Sequence, residues 1–169
     1  MANTYIAIAT ASAPSGNVSE FTFSSIPSTY TDLVIMGSLR TTRSNYLDDI
    51  YYKFNTSTAN QSGRIIYSDG SATPAGITSY LQIGFQPAAT ATSSYMGSFT
   101  MYIPNYGSSA NKCHHTFTVS ENASSSQYGL GICCDLWSNT SAITSTTIYT
   151  ANGNLVQHSF ATLYGIKKN

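Results

Sequence analysis

The densest group of side chains able to do chemistry is Cys113-His114-His115 taken together with Cys133-Cys134-Asp135. Thiolate, imidazole and carboxylate are ligands that zinc accepts. The spacing works against a site, because neighbours in an extended strand point to opposite faces, so Cys113 and His115 share one face and His114 takes the other. No C-x₂-C or H-x₃-H pair places two ligands on one turn. Ordinary strand residues are therefore expected, with no metal and no cofactor. Three cysteines are an odd count, and adjacent Cys133 and Cys134 would pair only through a strained ring. The expectation is three reduced thiols serving as small apolar residues.

Acyl transfer needs a Ser or Cys, a His and an orienting acid that meet in space. Serine is too abundant here to discriminate anything, no G-x-S-x-G turn occurs, and His158 stands apart just ahead of the last apolar run. Glycoside hydrolysis needs two carboxylates about 5–9 Å apart. The acids, Glu20, Asp32, Asp48, Asp49, Asp69, Glu121 and Asp135, are mostly single and near turns, where Asp commonly serves the backbone. Asp48-Asp49 reads as a solvated strand start or a partner for Arg40 or Arg43. Gly129-Leu130-Gly131 reads as a bulge, with no helix after it to hold a phosphate. No residue set makes an enzyme, and a non-enzymatic chain is expected.

Tyr46, Tyr51, Tyr52, Tyr106 and Trp137 fall near expected loops. Such rings stack on sugars or fill contacts between proteins. Exposed Tyr and Trp concentrate at interfaces, so these five are candidate interface residues, with glycan stacking as their second reading.

The 169 residues carry seven basic and seven acidic side chains, and only 8% of the chain is charged. A nucleic-acid binder releases counterions with a Lys/Arg surplus that this chain lacks, and binding to an anionic membrane surface is disfavoured for the same reason. No apolar run approaches the roughly 18 residues of a membrane span. Residues 1–20 show no basic start followed by an apolar stretch, so no secretory signal is read. More than a quarter of the residues are Ser or Thr. A surface kept soluble by hydroxyls repels its neighbours weakly and suits a protein packed in an assembly.

The elements that must carry these residues are strands. From Tyr95 to Ile103, Tyr95, Gly97, Phe99, Met101 and Ile103 fall on one face and Ser98, Thr100 and Tyr102 on the other. Similar runs are 5–8, 18–23, 31–40, 50–54, 64–67, 77–85, 113–120, 128–136, 142–150 and 158–166, rich in β-branched and aromatic types. No stretch has helical periodicity. Turn chemistry separates the runs at Pro14-Ser15-Gly16, Asp69-Gly70-Ser71, Pro104-Asn105-Tyr106-Gly107 and Asn152-Gly153, the last reading as a type I′ hairpin. The fold class predicted is all-β, a single antiparallel β-sandwich domain over residues 1–169, jelly-roll-like. Alternation assigns Leu33, Ile35, Phe99, Met101, Ile103, Phe117, Val119 and Ile143 to one core. The last run reads as a central strand with Phe160, Tyr164 and Ile166 on one face and Ala161 and Leu163 on the other.

The stretch from Phe21 to Ile35 (FTFSSIPSTYTDLVI), followed by Gly37-Ser38-Leu39-Arg40, resembles the opening of small virion proteins of tailed bacteriophages, and the ending from Phe160 to Lys168 resembles their closing segment. Between them, Tyr51 to Asn55, Ile103 to Tyr106, and Trp137 with Ala142-Ile143 resemble successive segments of the same proteins, in order. The chain departs from that pattern at Thr56–Ser62, where a Gly-rich turn would stand. The resemblance implies a structural component of the virion: a capsid decoration (cement) protein, or a module of a fibre or other appendage. It implies assembly in the host cytoplasm, a homotrimer, and contact with the major capsid protein or another virion protein. The other reading kept open is a receptor- or glycan-binding module of a tail fibre.

Overall fold

The computed structural model describes residues 5–68, 75–121 and 129–167. Among these residues there are twelve strands and no helix: β1 (Tyr5–Ser12), β2 (Glu20–Phe23), β3 (Asp32–Leu39), β4 (Leu47–Phe54), β5 (Gln61–Ser68), β6 (Ala75–Thr78), β7 (Leu81–Pro87), β8 (Gly97–Ile103), β9 (Lys112–Ser120), β10 (Gly129–Trp137), β11 (Thr146–Thr150) and β12 (Phe160–Ile166). Eight form one sheet in the order β1-β12-β3-β8-β9-β10-β5-β6, and four form a second in the order β2-β11-β4-β7. Every pairing is antiparallel. The smaller sheet lies on the larger with β7 over β9 and β10, which makes a sandwich. Its strands divide eight and four, where a jelly roll has eight in all.

The expected runs are strands because their side chains alternate against this one core. Ile50, Tyr52 and Phe54 of β4 and Leu81 and Ile83 of β7 meet Leu33, Ile35 and Leu39 of β3, Phe99, Met101 and Ile103 of β8, and Trp137 of β10. Ile143 is also buried, but it lies ahead of β11 in an irregular segment. The run 77–85 is broken at Ser79-Tyr80, where the chain leaves the large sheet for the small one, and the Thr78 hydroxyl donates to Tyr80 O at 2.8 Å to shape the crossing. The Asp69-Gly70-Ser71 turn, Tyr128 and Lys168 lie outside the described residues.

Four expectations are corrected. Phe117 and Val119 do not face the core: β9 turns Cys113, His115, Phe117 and Val119 outward and encloses Lys112, His114, Thr116, Thr118 and Ser120. Alternation tells two faces apart, but partners decide which one goes inside, and here His114 and Thr118 find hydrogen bonds in the smaller sheet. Asn152-Gly153 makes no hairpin, because β11 and β12 belong to different sheets and neither residue has positive φ. Gly129-Leu130-Gly131 is regular strand, paired without interruption to both β9 and β5. In β12, Ala161 and Leu163 are buried as expected and the strand lies between β1 and β3, but Phe160 is exposed and Tyr164 and Ile166 are only half-buried. The true irregularity of the small sheet lies between Ile50 and Tyr51 of β4, opposite Gly84 of β7, which has φ +107°.

Candidate functional site

β9 and β10 lie at the middle of the larger sheet, and their two faces differ in chemistry. On the inner face His114 and Asp135 are direct cross-strand partners. Tyr52 of β4 descends between them, and its hydroxyl meets His114 Nε2 and Asp135 Oδ2, the latter at 2.8 Å. The backbone N–H of Gln82 donates to the same carboxylate oxygen at 2.8 Å, and His114 Nδ1 lies 3.1 Å from Lys112 O. A carbonyl only accepts, so Nδ1 carries a proton and a neutral His114 presents a bare Nε2. The single Tyr52 proton then has two claimants. While Asp135 is ionised Tyr52 donates to it; once Asp135 is protonated, below about 6, it donates to Tyr52, Tyr52 to His114, and His114 to Lys112 O.

Electrostatics point the same way. Burial holds the Asp135 carboxyl up at about 6, with the Tyr52 and Gln82 hydrogen bonds acting against it. Burial pushes His114 down to about 4. Tyr52 is raised well above its ordinary value, first by burial and then by Asp135, and the buried Cys133 thiol is raised in the same way. Asp135 Oδ1 has no hydrogen-bond partner, and a Cβ on its cross-strand neighbour Gly63 would stand 2.3 Å from it. A Tyr, a His and an Asp in contact resemble a proton relay in composition. All three are enclosed, so the arrangement holds a proton inside the core and presents no face to a substrate.

Two basic side chains are enclosed without carboxylates. Lys112 Nζ donates to Ser108 O, Ala110 O and Asn139 O at 2.8, 2.5 and 3.4 Å. Arg40 reaches Thr92 O, Tyr95 O and Ala91 O at 2.7, 2.9 and 2.9 Å. Each cation gathers loop carbonyls, and burial lowers both from their ordinary values. Asp48 and Asp49 pair with Arg43, at 3.2 and 3.4 Å, and not with Arg40.

The outer face of β9, β10 and β5 is apolar. Phe117, Ile132 and Ile66 are successive cross-strand partners, with Leu130 opposite Val119 beside them and Ile77 on the edge strand β6. Ile66, Phe117, Leu130, Ile132 and Ile77 are between 45% and 77% exposed. Half-exposed side chains of this size leave on the order of 400 Å² of apolar surface together. Arg64 is the one permanently charged side chain that these three strands turn outward among the described residues. Leu130 and Ile132 flank a groove of about 160 Å³ whose other wall is Ile66, Tyr67 and Ser68.

The outer face of the smaller sheet is aromatic and charged. Tyr51 pairs with Tyr149 across β4 and β11, with ring centres 6.0 Å apart, and Tyr80 stands 5.4 Å from Tyr51 on its other side. Lys53 Nζ lies 5.3 Å from the centre of the Tyr149 ring. Burial, then Asp49, pushes Tyr51 up to about 12.

The five aromatic candidates therefore separate. Tyr46 and Tyr51 reach the surface, whereas Tyr52, Tyr106 and Trp137 are core residues that touch no solvent-side partner. Their proximity to loops in the sequence carried no information on depth. Among the thiols, Cys113 and Cys134 are exposed and Cys133 is buried, and His114 and His115 point to opposite faces. Among the described residues no three His, Cys, Asp or Glu side chains converge on one point. Sequence reasoning missed the apolar outer face and the enclosed Tyr52-His114-Asp135 group. The available signal was that β9 alternates, with Lys112, His114, Thr116, Thr118 and Ser120 on one face and Cys113, His115, Phe117 and Val119 on the other.

Comparison with known protein families, with curated proteins and with solved structures finds no match.

Proposed function

We propose that this chain is a non-enzymatic structural component of a tailed-phage particle, a capsid decoration or short appendage protein that works through protein-protein contacts. The phage assignment rests on the ordered segments from Phe21 to Lys168 that resemble such virion proteins. The observation that supports an assembly role is the inversion of β9 and β10, which enclose His114, Thr116, Thr118 and Asp135 while turning Phe117, Leu130 and Ile132 to solvent. A contiguous apolar patch of this kind is often functional and supports a contact site. The test is co-sedimentation of purified chain with phage particles stripped of it. Binding that saturates at a fixed number of copies is expected, and no binding by a chain with an intact near-ultraviolet dichroism spectrum overturns the assignment.

A second reading, a receptor- or glycan-binding module, has one specific observation in its favour, the Tyr51, Tyr80 and Tyr149 cluster beside Asp49 and Lys53. A glycan array decides it: binding lost in Tyr51→Ala and Tyr80→Ala supports this reading against the first.

A further inference from the structure

We infer that the outer face of β5, β9 and β10 is where two copies of this chain meet, each presenting the same surface to the other. This rests on the assembly reading and names its partner. A surface that packs on a copy of itself must be its own complement, and three features of this face meet that condition. It carries a projection and a recess side by side: Phe117 stands out from β9 directly beside Ile132, and beyond Ile132 lies the groove walled by Leu130, Ile66 and Ser68. A two-fold axis lying in the plane of the contact, between Phe117 and the groove, places the Phe117 of each copy over the groove of the other.

Charge is the second feature. A strongly charged patch repels its own copy and selects a partner of opposite sign. Here Arg64 is the single permanent charge turned outward by the three strands among the described residues, and the chain as a whole has no net charge. Neither repulsion nor a charged partner is specified.

Area is the third. A stable contact covers about 800 Å² on each partner, apolar at the centre and polar at the rim. The five large side chains supply on the order of 400 Å² of centre, and Thr100, His115, Ser62 and Ser68 surround them with a polar rim. Two sheets stacked face to face at the usual spacing of about 10 Å bury such a patch completely. A contact of this symmetry gives pairs, whereas the phage resemblance implies three copies.

The experiment is light scattering after size exclusion at tens of micromolar, on the full chain and on Ile132→Asp and Phe117→Asp. These side chains already face solvent, so the variants are expected to keep the melting temperature of the parent. Should either fail to fold, Ile66→Ser weakens the same face more mildly. The expected masses are twice 18.1 kDa for the parent and 18.1 kDa for the variants. With Cys113 replaced (Cys113→Ser), since it lies beside Cys134 on the same face, a bifunctional maleimide should join parent copies through Cys134 and fail to join the variants. A monomeric parent, a trimeric parent, or variants that stay paired each overturn the inference, as does a monomer that binds neutral lipid vesicles through this face. Pairing that persists in a chain unable to bind stripped particles overturns the phage reading alone. A monomeric chain that binds them overturns the pairing alone.

Discussion

His114 and Asp135 stand directly opposite each other on β9 and β10, yet the link between them is the hydroxyl of Tyr52 from the other sheet. Three groups thus share protons in a place water does not reach, and the inward orientation of β9 and β10 depends on their being satisfied. A one-residue slip of β9 would turn Phe117 inward and strand His114 outside.

The contributions of Asp135 and His114 to the pH dependence of stability should nearly cancel between about 4 and 6.5. The folded chain keeps the Asp135 proton up to about 6, whereas the unfolded chain releases it near 3.8, so this group loses stability as pH rises through that window. The unfolded chain holds the His114 proton up to 6.5, whereas the folded chain refuses it above about 4, so this group gains stability over nearly the same window. Tyr52 and Cys133, which also face Asp135, are pushed upward and stay protonated throughout. Asp135→Asn, which has no titrating proton, should melt higher as pH rises from 4 to 6.5. His114→Gln should melt lower over the same range. Thermal melts in a pH series check this, and parallel profiles for all three proteins would refute it.

Asn55 follows β4 with φ +49°, and its side chain donates to Ala142 O at 2.8 Å and accepts from Thr144 N and Ser145 N at 2.8 and 3.1 Å. Asn55→Ala should lose about 3 kcal/mol, part from left-handed backbone and part from the unmet groups of residues 142–145. Asn55→Gly should recover about 1 kcal/mol of that. Urea denaturation measures both, and equal losses would remove the backbone component.

A Cβ on Gly84 would meet the Thr118 methyl at 2.5 Å, at a residue whose φ is already +107°. Gly84→Ala should cost about 3 kcal/mol in the same assay, from strain and overpacking together. A loss under about 0.5 kcal/mol, the range of an indifferent surface change, would show that β4 and β7 pair differently there.

Arg40 ties down residues 89–95 through carbonyls alone. Arg40→Lys keeps the charge but lacks the fork that spans several acceptors, so it should lose about 2 kcal/mol and raise proteolysis within residues 89–95. Unchanged cleavage there, with unchanged stability, would assign that loop's order to other contacts.

What the amino-acid sequence determined by itself is the class of the fold and most of its strands. Period-two alternation, β-branched and aromatic content, and turn residues between the runs act locally, so they are readable without knowing what packs on what. Depth and sidedness were decided only in the tertiary structure. Tyr51 and Tyr52 are neighbours of one type, and which of them is enclosed depends on the side from which the larger sheet covers β4. Asn152-Gly153 has the local chemistry of a hairpin, but β11 pairs with β2 and β4 while β12 pairs with β1 and β3, so the strands on either side of it do not pair with each other. For β9 the polar face went inward because Tyr52 and Gln86, from strands far away in sequence, supply partners for His114 and Thr118. Burying a polar group costs less when its partner is already in place, and that partner is a property of the assembled sheets, not of the strand.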